Sequence, residues 1–174
     1  SLVIAKKYTS EDLAYYNKGN QFPQLGMSVI EPTVNGVLFP ALSQCNDNQA
    51  EMRGITRRII MLSTYIVFPI MIGLIAVAKP LVTVLLTEKW LPCVRLLQLF
   101  CVFYLFQPIH TANMQAIKAI GRGDVYFKLE VVKKIIELVA LLCFMWISVE
   151  AIVVSMAIMS TAFIFLNALP NQRL

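Results

Sequence analysis

The run IIMLSTYIVFPIMIGLIAVA, residues 59–78, carries no charged side chain from end to end. A helix rises about 1.5 Å per residue, so some twenty apolar residues cover the roughly 30 Å hydrocarbon core of a bilayer. This stretch therefore reads as a membrane-crossing helix. Pro69 and Gly73 do not argue against it, because neighbouring helices in a membrane re-satisfy freed backbone groups. Working outward, residues 94–117 form a second such span and residues 151–169 a third. Residues 126–149 form a fourth, charged in its first half and charge-free from 138 to 149, with a short hinge near Glu150 before the next helix. Residues 13–42 are long enough to cross but contain Pro23, Pro32, Pro40 and Glu31. They make a fifth span on the same argument about prolines.

Composition agrees with the spans. Of 174 residues, 58% are hydrophobic and only 14% are charged, against roughly 25% charged in soluble domains. Mean hydropathy is +0.69. These values exclude a disordered chain, a nucleic-acid arm and most soluble enzymes. The net charge of +5 is read as basic loops beside a membrane. Cys45, Cys93, Cys101 and Cys143 form no CxxC pair and lie mostly in apolar runs; they read as reduced, small hydrophobic residues. The chain opens on Ser, shows no cleavable leader pattern, and ends just after an apolar run, so a piece of a longer protein is expected.

Between spans, residues 43–58 read as a polar turn, QCNDNQ, followed by a short basic helix. Residues 79–90 are too short to cross and read as an interfacial helix, with Trp90 at the membrane–water boundary. Gly121 and Gly123 flank Arg122 in a tight turn. Nine basic residues (Arg53, Arg57, Arg58, Lys118, Arg122, Lys128, Lys133, Lys134, Arg173) fall on one side and six (Lys6, Lys7, Lys18, Lys79, Lys89, Arg95) on the other. The bias places loops 44–58 and 118–127 in the cytoplasm.

Polar groups inside lipid are costly and face a bundle interior or an aqueous path. In the first span Asn17, Asn20, Gln24, Ser28, Glu31 and Asn35 fall within an arc of about 80° at 100° per residue. Gly19 and Gly26 lie opposite, where close helix packing wants small residues. One reading is a helix lining a hydrophilic path; the other is an interior helix with interhelical hydrogen bonds and a protonated Glu31. Gln107, His110, Thr111 and Lys118 share a face of the third span, with a kink expected at Pro108. His110 is the only histidine, either a proton shuttle or a neutral structural residue. Glu130–Lys134 and Lys133–Glu137 have the spacing of self-neutralising ion pairs. The candidate path residues are thus Asn20, Gln24, Ser28, Glu31, Asn35, Gln107, His110, Thr111 and Lys118. No catalytic motif, metal-ligand spacing or cofactor motif is present, so no enzyme, metal or cofactor is expected.

The pieces LAYYNKGNQFPQL (13–25), VLFPALSQ (37–44), FPIMIGLIAVAKPLVTVLLTEKWLPCVRLLQLFC (68–101) and KAIGRGDVYFKLEVVKKIIEL (118–138) together resemble the Wzx-type polysaccharide flippases. These exporters of lipopolysaccharide, O-antigen and colanic-acid units belong to the multidrug/oligosaccharidyl-lipid/polysaccharide exporter superfamily. The resemblance covers nearly the whole chain in order. It implies a two-lobe parent of 12–14 helices, like the multidrug exporters of the superfamily, with this chain as one partial transmembrane domain, 1–174, from the C-terminal lobe. It further implies a multi-pass protein of the bacterial inner membrane that moves undecaprenyl-pyrophosphate-linked repeat units by alternating access. The partners would be the bilayer, the lipid-linked oligosaccharide and the N-terminal lobe, with no nucleic acid. Glu31 departs from the family pattern, where an apolar residue is common. The expected fold is all-α, a polytopic bundle of about five crossing helices. Alternatives are a multidrug or cation antiporter of the same superfamily, or a membrane-embedded glycan polymerase or ligase; the short loops speak against the last.

Overall fold

The structure, a computed structural model, describes residues 10–45, 49–121, 123–144, 153–155 and 158–159. The described residues build an all-α bundle. Helix α1 runs Ser10–Gln44 and α2 runs Gln49–Leu86. A 3-10 turn, Glu88–Trp90, leads to α3, Cys93–Leu105; α4, Gln107–Ala119, and α5, Gly123–Phe144, follow. Among the described residues, three stretches are long and apolar enough to cross a membrane: Glu11–Gln44, Ala50–Leu86 and Cys93–Ala119. The protein is a multi-pass membrane helix bundle.

The prolines sit inside the long helices, as expected for a membrane. Pro23, Pro32 and Pro40 lie within α1, Pro69 and Pro80 within α2. Hydroxyls near several of them bond the preceding turn: Thr33 to the Val29 carbonyl at 2.8 Å, Ser43 to Phe39 at 2.8 Å and Thr83 to Lys79 at 3.0 Å. Such back-bonds occupy carbonyls of the turn that a proline disturbs.

Two boundaries differ from expectation. The basic helix before residue 59 and the interfacial helix after residue 78 are not separate; both are turns of the continuous 38-residue α2. Helix propagation is cooperative, and the helix runs through Pro80 as it does through Pro69. At about 1.5 Å per residue α2 overreaches the hydrocarbon core, so its basic start and its Lys79–Leu86 end project toward the interfaces. The span 94–117 is interrupted at Phe106, where α3 ends and α4 begins with Pro108 in its first turn. Proline has no N–H to give and crowds the preceding turn, which puts the break just before it.

Helix α5 forms where the fourth span was expected. Lys128, Glu130, Lys133, Lys134 and Glu137 make its first half more charged than the other three stretches. The hinge at Glu150 and most of the span 151–169 lie outside the described residues. Of that span, Val153 is seen buried against Leu96 and Phe100 of α3.

The core has two main parts. One joins Met27 of α1, Val67, Met71, Ala78 and Val82 of α2, and Cys93, Leu97 and Cys101 of α3. The other joins Val34, Leu38 and Leu42 of α1, Met52 of α2, and Ala112, Ala116 and Ala119 of α4. At Gly19 the backbones of α1 and α3 nearly touch: a Cβ there would lie 2.9 Å from Leu96 Cβ and 3.1 Å from the Leu97 nitrogen. Gly26 meets Met71 and Ile70 at ordinary distances. Gly121, at φ +77°, ends α4 with its N–H on the Lys118 carbonyl; a left-handed residue closing a helix is the usual work of glycine. Cys93 and Cys101 are buried free thiols and Cys45 is half-buried; Cys143 lies outside the described side chains.

Candidate functional site

The outward faces of α1 and α2 are apolar, with Val29, Tyr65 and Val84 more than two-thirds exposed. A seam of three polar links nonetheless crosses between neighbouring helices among α1, α3, α4 and α5, while other polar side chains of α1, Gln24 and Ser28 among them, stay exposed. Its first link joins α1 to α3: the Tyr104 hydroxyl donates to Asn20 Oδ1 at 3.1 Å. Its second joins α1 to α4: Gln115 Nε2 donates to Asn35 Oδ1 at 2.7 Å. Its third joins α4 to α5: Lys133 Nζ lies 2.8 Å from His110 Nε2. An ammonium can only donate, so Nε2 accepts and the ring hydrogen sits on Nδ1. Glu31 is half-buried on α1. At the 44–58 end, Lys118 Nζ sits 4.3 Å from the centre of the Tyr126 ring, a cation–π contact.

Of the candidate path residues, Asn20, Asn35 and His110 each bond a neighbouring helix. Lys118 stands at the end of the same seam. Gln107 and Thr111 are half-buried on α4. Gln24 and Ser28 are exposed on α1, and the Ser28 hydroxyl bonds the Leu25 carbonyl at 2.7 Å. Both readings of the α1 stripe find support in different residues: Asn20 and Asn35 bond neighbouring helices, while Gln24 and Ser28 face outward.

Tyr104, Gln115 and Lys133 were not among the candidates. The first two fall outside the arcs that select the polar stripes, and only their cross-helix partners reveal them. Lys133 looked self-neutralised. In the structure Lys134 takes Glu137, at 2.9 Å and a spacing of three residues, and neither expected pair at a spacing of four forms. Lys133 turns inward because the His110 lone pair is within reach across the helix contact. No group of three or more potential metal ligands occurs among the described residues.

A model of the family described as "Polysaccharide biosynthesis protein" matches residues 1–95, just over half of the chain. The chain belongs to this polysaccharide biosynthesis family. Three relatives illustrate the likeness. The chain is 27% identical over 133 residues to the lipopolysaccharide biosynthesis protein WzxC of Escherichia coli, covering 76% of this chain and 27% of that protein. It is 25% identical over 126 residues to the teichuronic acid biosynthesis protein TuaB of Bacillus subtilis, covering 72% and 26%. Over 75 residues it is 40% identical to an uncharacterized membrane protein in the cps region of Klebsiella pneumoniae, covering 43% and 16%. The chain therefore spans about a quarter or less of the length of these relatives. No solved structure matches it. As a member of the polysaccharide biosynthesis family, it places its polar seam within a bundle otherwise fitted to lipid.

Proposed function

We propose that the complete protein carries an undecaprenyl-pyrophosphate-linked oligosaccharide repeat unit across the bacterial inner membrane by alternating access. The observation that carries this reading is the seam itself. Two amide links, a phenol, an imidazole and two lysines make contacts between helices whose outward faces are largely apolar. Such groups are expensive in lipid and persist where an aqueous or substrate-bearing path needs them. Sugars ask for donors and acceptors of the kind Asn20, Tyr104, Asn35 and Gln115 supply. A diphosphate asks for ammonium groups such as Lys118 and Lys133. WzxC and TuaB, named for lipopolysaccharide and teichuronic acid biosynthesis, point to the same substrate class.

In this mechanism the seam is one wall of a cavity, and the second wall belongs to the N-terminal lobe. Rocking of the two lobes exposes the cavity to one side and then the other. The Tyr104–Asn20 and Gln115–Asn35 bonds hold the wall closed on itself and exchange for sugar hydroxyls when substrate enters. The protein makes and breaks no covalent bond; it binds and reorients.

The test expresses the full-length protein in cells lacking their own repeat-unit exporter and scores surface polysaccharide. Wild type restores it; a normally inserted Glu31→Ala variant does not. Wild type that inserts normally yet restores no polysaccharide of several repeat-unit types would overturn the reading in favour of a cation antiporter.

A further inference from the structure

We propose that the groove between α1 and α2 is a binding site for an anionic phospholipid, with one acyl chain in the groove and the phosphate on Arg58. The site is separate from the polar seam. Its test reads lipid binding rather than transport, so the two ideas fail separately.

The groove has a volume of about 410 Å³. Val29, Thr33 and Val37 of α1 line one wall, and Ile59, Leu62 and Ile66 of α2 line the other. Val29, Val37, Leu62 and Ile66 are each more than half exposed, so the groove opens outward. The Thr33 hydroxyl is held by the Val29 carbonyl at 2.8 Å, and Ser63, the other polar residue of the lining, is buried. What remains is an apolar trough. Both walls belong to stretches long and apolar enough to cross a membrane. The exposed polar residues Gln24 and Ser28 lie on the opposite side of α1, at about 100° per residue. The groove therefore opens toward lipid, away from the face that the transport reading gives to the second lobe.

Length and charge then select the lipid. Val37 to Val29 spans about 12 Å at about 1.5 Å per residue. Half of the hydrocarbon core is roughly 15 Å. The groove thus suits an acyl chain of one leaflet, which a polyprenyl tail would overrun. Val37 and Ile59 lie at its 44–58 end, so that leaflet is the one beside the basic start of α2. Arg58, Leu62 and Ile66 follow one another at a spacing of four, so Arg58 continues the α2 wall by one turn toward the interface. Side chains of a helix lean toward its N-terminus, which carries the guanidinium outward to headgroup level. Arg58 is exposed and makes no ion pair among the described residues. A guanidinium meets a phosphate with two parallel hydrogen bonds, and basic residues at a groove between membrane helices suit anionic headgroups. Arg57 is equally exposed but stands about 100° further round α2, away from the groove. The two neighbouring arginines thus differ in position and not in charge.

The experiment uses the full-length protein in detergent and measures lipid binding by native mass spectrometry. Phosphatidylglycerol is expected to bind more tightly than phosphatidylethanolamine with the same chains. Arg58→Gln is expected to lower the phosphatidylglycerol affinity about fivefold, the effect of one basic residue at headgroup level, while Arg57→Gln leaves it near the wild-type value. Leu62→Trp fills the groove and lowers the affinity for both lipids. Glycerol phosphate, a headgroup without chains, displaces neither. Arg57, Arg58 and Leu62 are all exposed, and unchanged thermal unfolding without lipid checks that the three variants fold as wild type. Equal losses in Arg57→Gln and Arg58→Gln overturn the proposal, because a diffuse basic surface would respond in that way. So does unaltered binding to Leu62→Trp, or displacement by glycerol phosphate. Tighter binding of a polyprenyl phosphate than of phosphatidylglycerol also overturns it, and makes the groove a seat for substrate instead.

Discussion

Two helix contacts of this bundle are built on opposite principles. Where α1 crosses α3, Gly19 brings backbone within van der Waals reach of Leu96 and Leu97, and the surroundings are mostly apolar. Where α4 meets α5, apolar burial is sparse and the contact rests on a lysine–histidine bond and a lysine–tyrosine contact. The first contact draws on close packing, which has one good solution. The second draws on polar side chains, whose hydrogen bonds can be exchanged one for another.

The contrast can be broken by substitution, measured as thermal unfolding of the full-length protein in detergent. The largest effect belongs to the apolar contact. Leu97 is fully buried, and Leu97→Ala is expected to cost about 2–5 kcal/mol, the range for a large-to-small change in a packed core. Gly19→Val is expected to cost about 1–3 kcal/mol through overpacking, because Leu96 Cβ, the Leu97 nitrogen and the Cys93 carbonyl, none of them the far end of a flexible side chain, stand near the new carbon. Gly36 is the control on the same helix, with nothing within 4 Å of an added Cβ. There Gly36→Ala should be neutral or stabilise by up to about 1 kcal/mol, the helix-propensity gain. At the polar contact Tyr126→Leu should cost only about 0.5–1 kcal/mol. A Tyr126→Leu loss as large as that of Leu97→Ala would erase the distinction between the two contacts. A Gly19→Val protein as stable as wild type would show that the α1–α3 crossing is looser than drawn. The smallest effect is expected at Gln115→Leu, about 0.6 kcal/mol, since hydrogen bonds between membrane helices are individually weak. Its sharper signature would be reduced surface polysaccharide at normal insertion.

Much of the bundle was legible in one dimension. Charge-free runs of membrane length located the helices, because lipid imposes the same demand on every turn of a crossing helix. The arc of polar positions on α1 was legible too, since helical period alone puts Asn20, Glu31 and Asn35 on one side. Gly19 was legible as a packing residue, although not which helix it receives. The boundaries of α2 were misread: proline and charge mark where a soluble helix would end, and a membrane helix with hydroxyl back-bonds runs through them.

What the sequence by itself determined is therefore the class of solvent around the protein and the face of each helix that avoids it. The physical reason is that burial of backbone and apolar surface in lipid is decided turn by turn, within one helix. What only the tertiary structure decided is which polar groups meet. Tyr104 finds Asn20 across 84 positions of chain and Gln115 finds Asn35 across 80, and Lys133 prefers the imidazole of a neighbouring helix to the carboxylates of its own. Those choices depend on the distance and rotation between helices. These are set by packing around Gly19, Leu97 and the alanines of α4, and no periodicity within a single helix contains them.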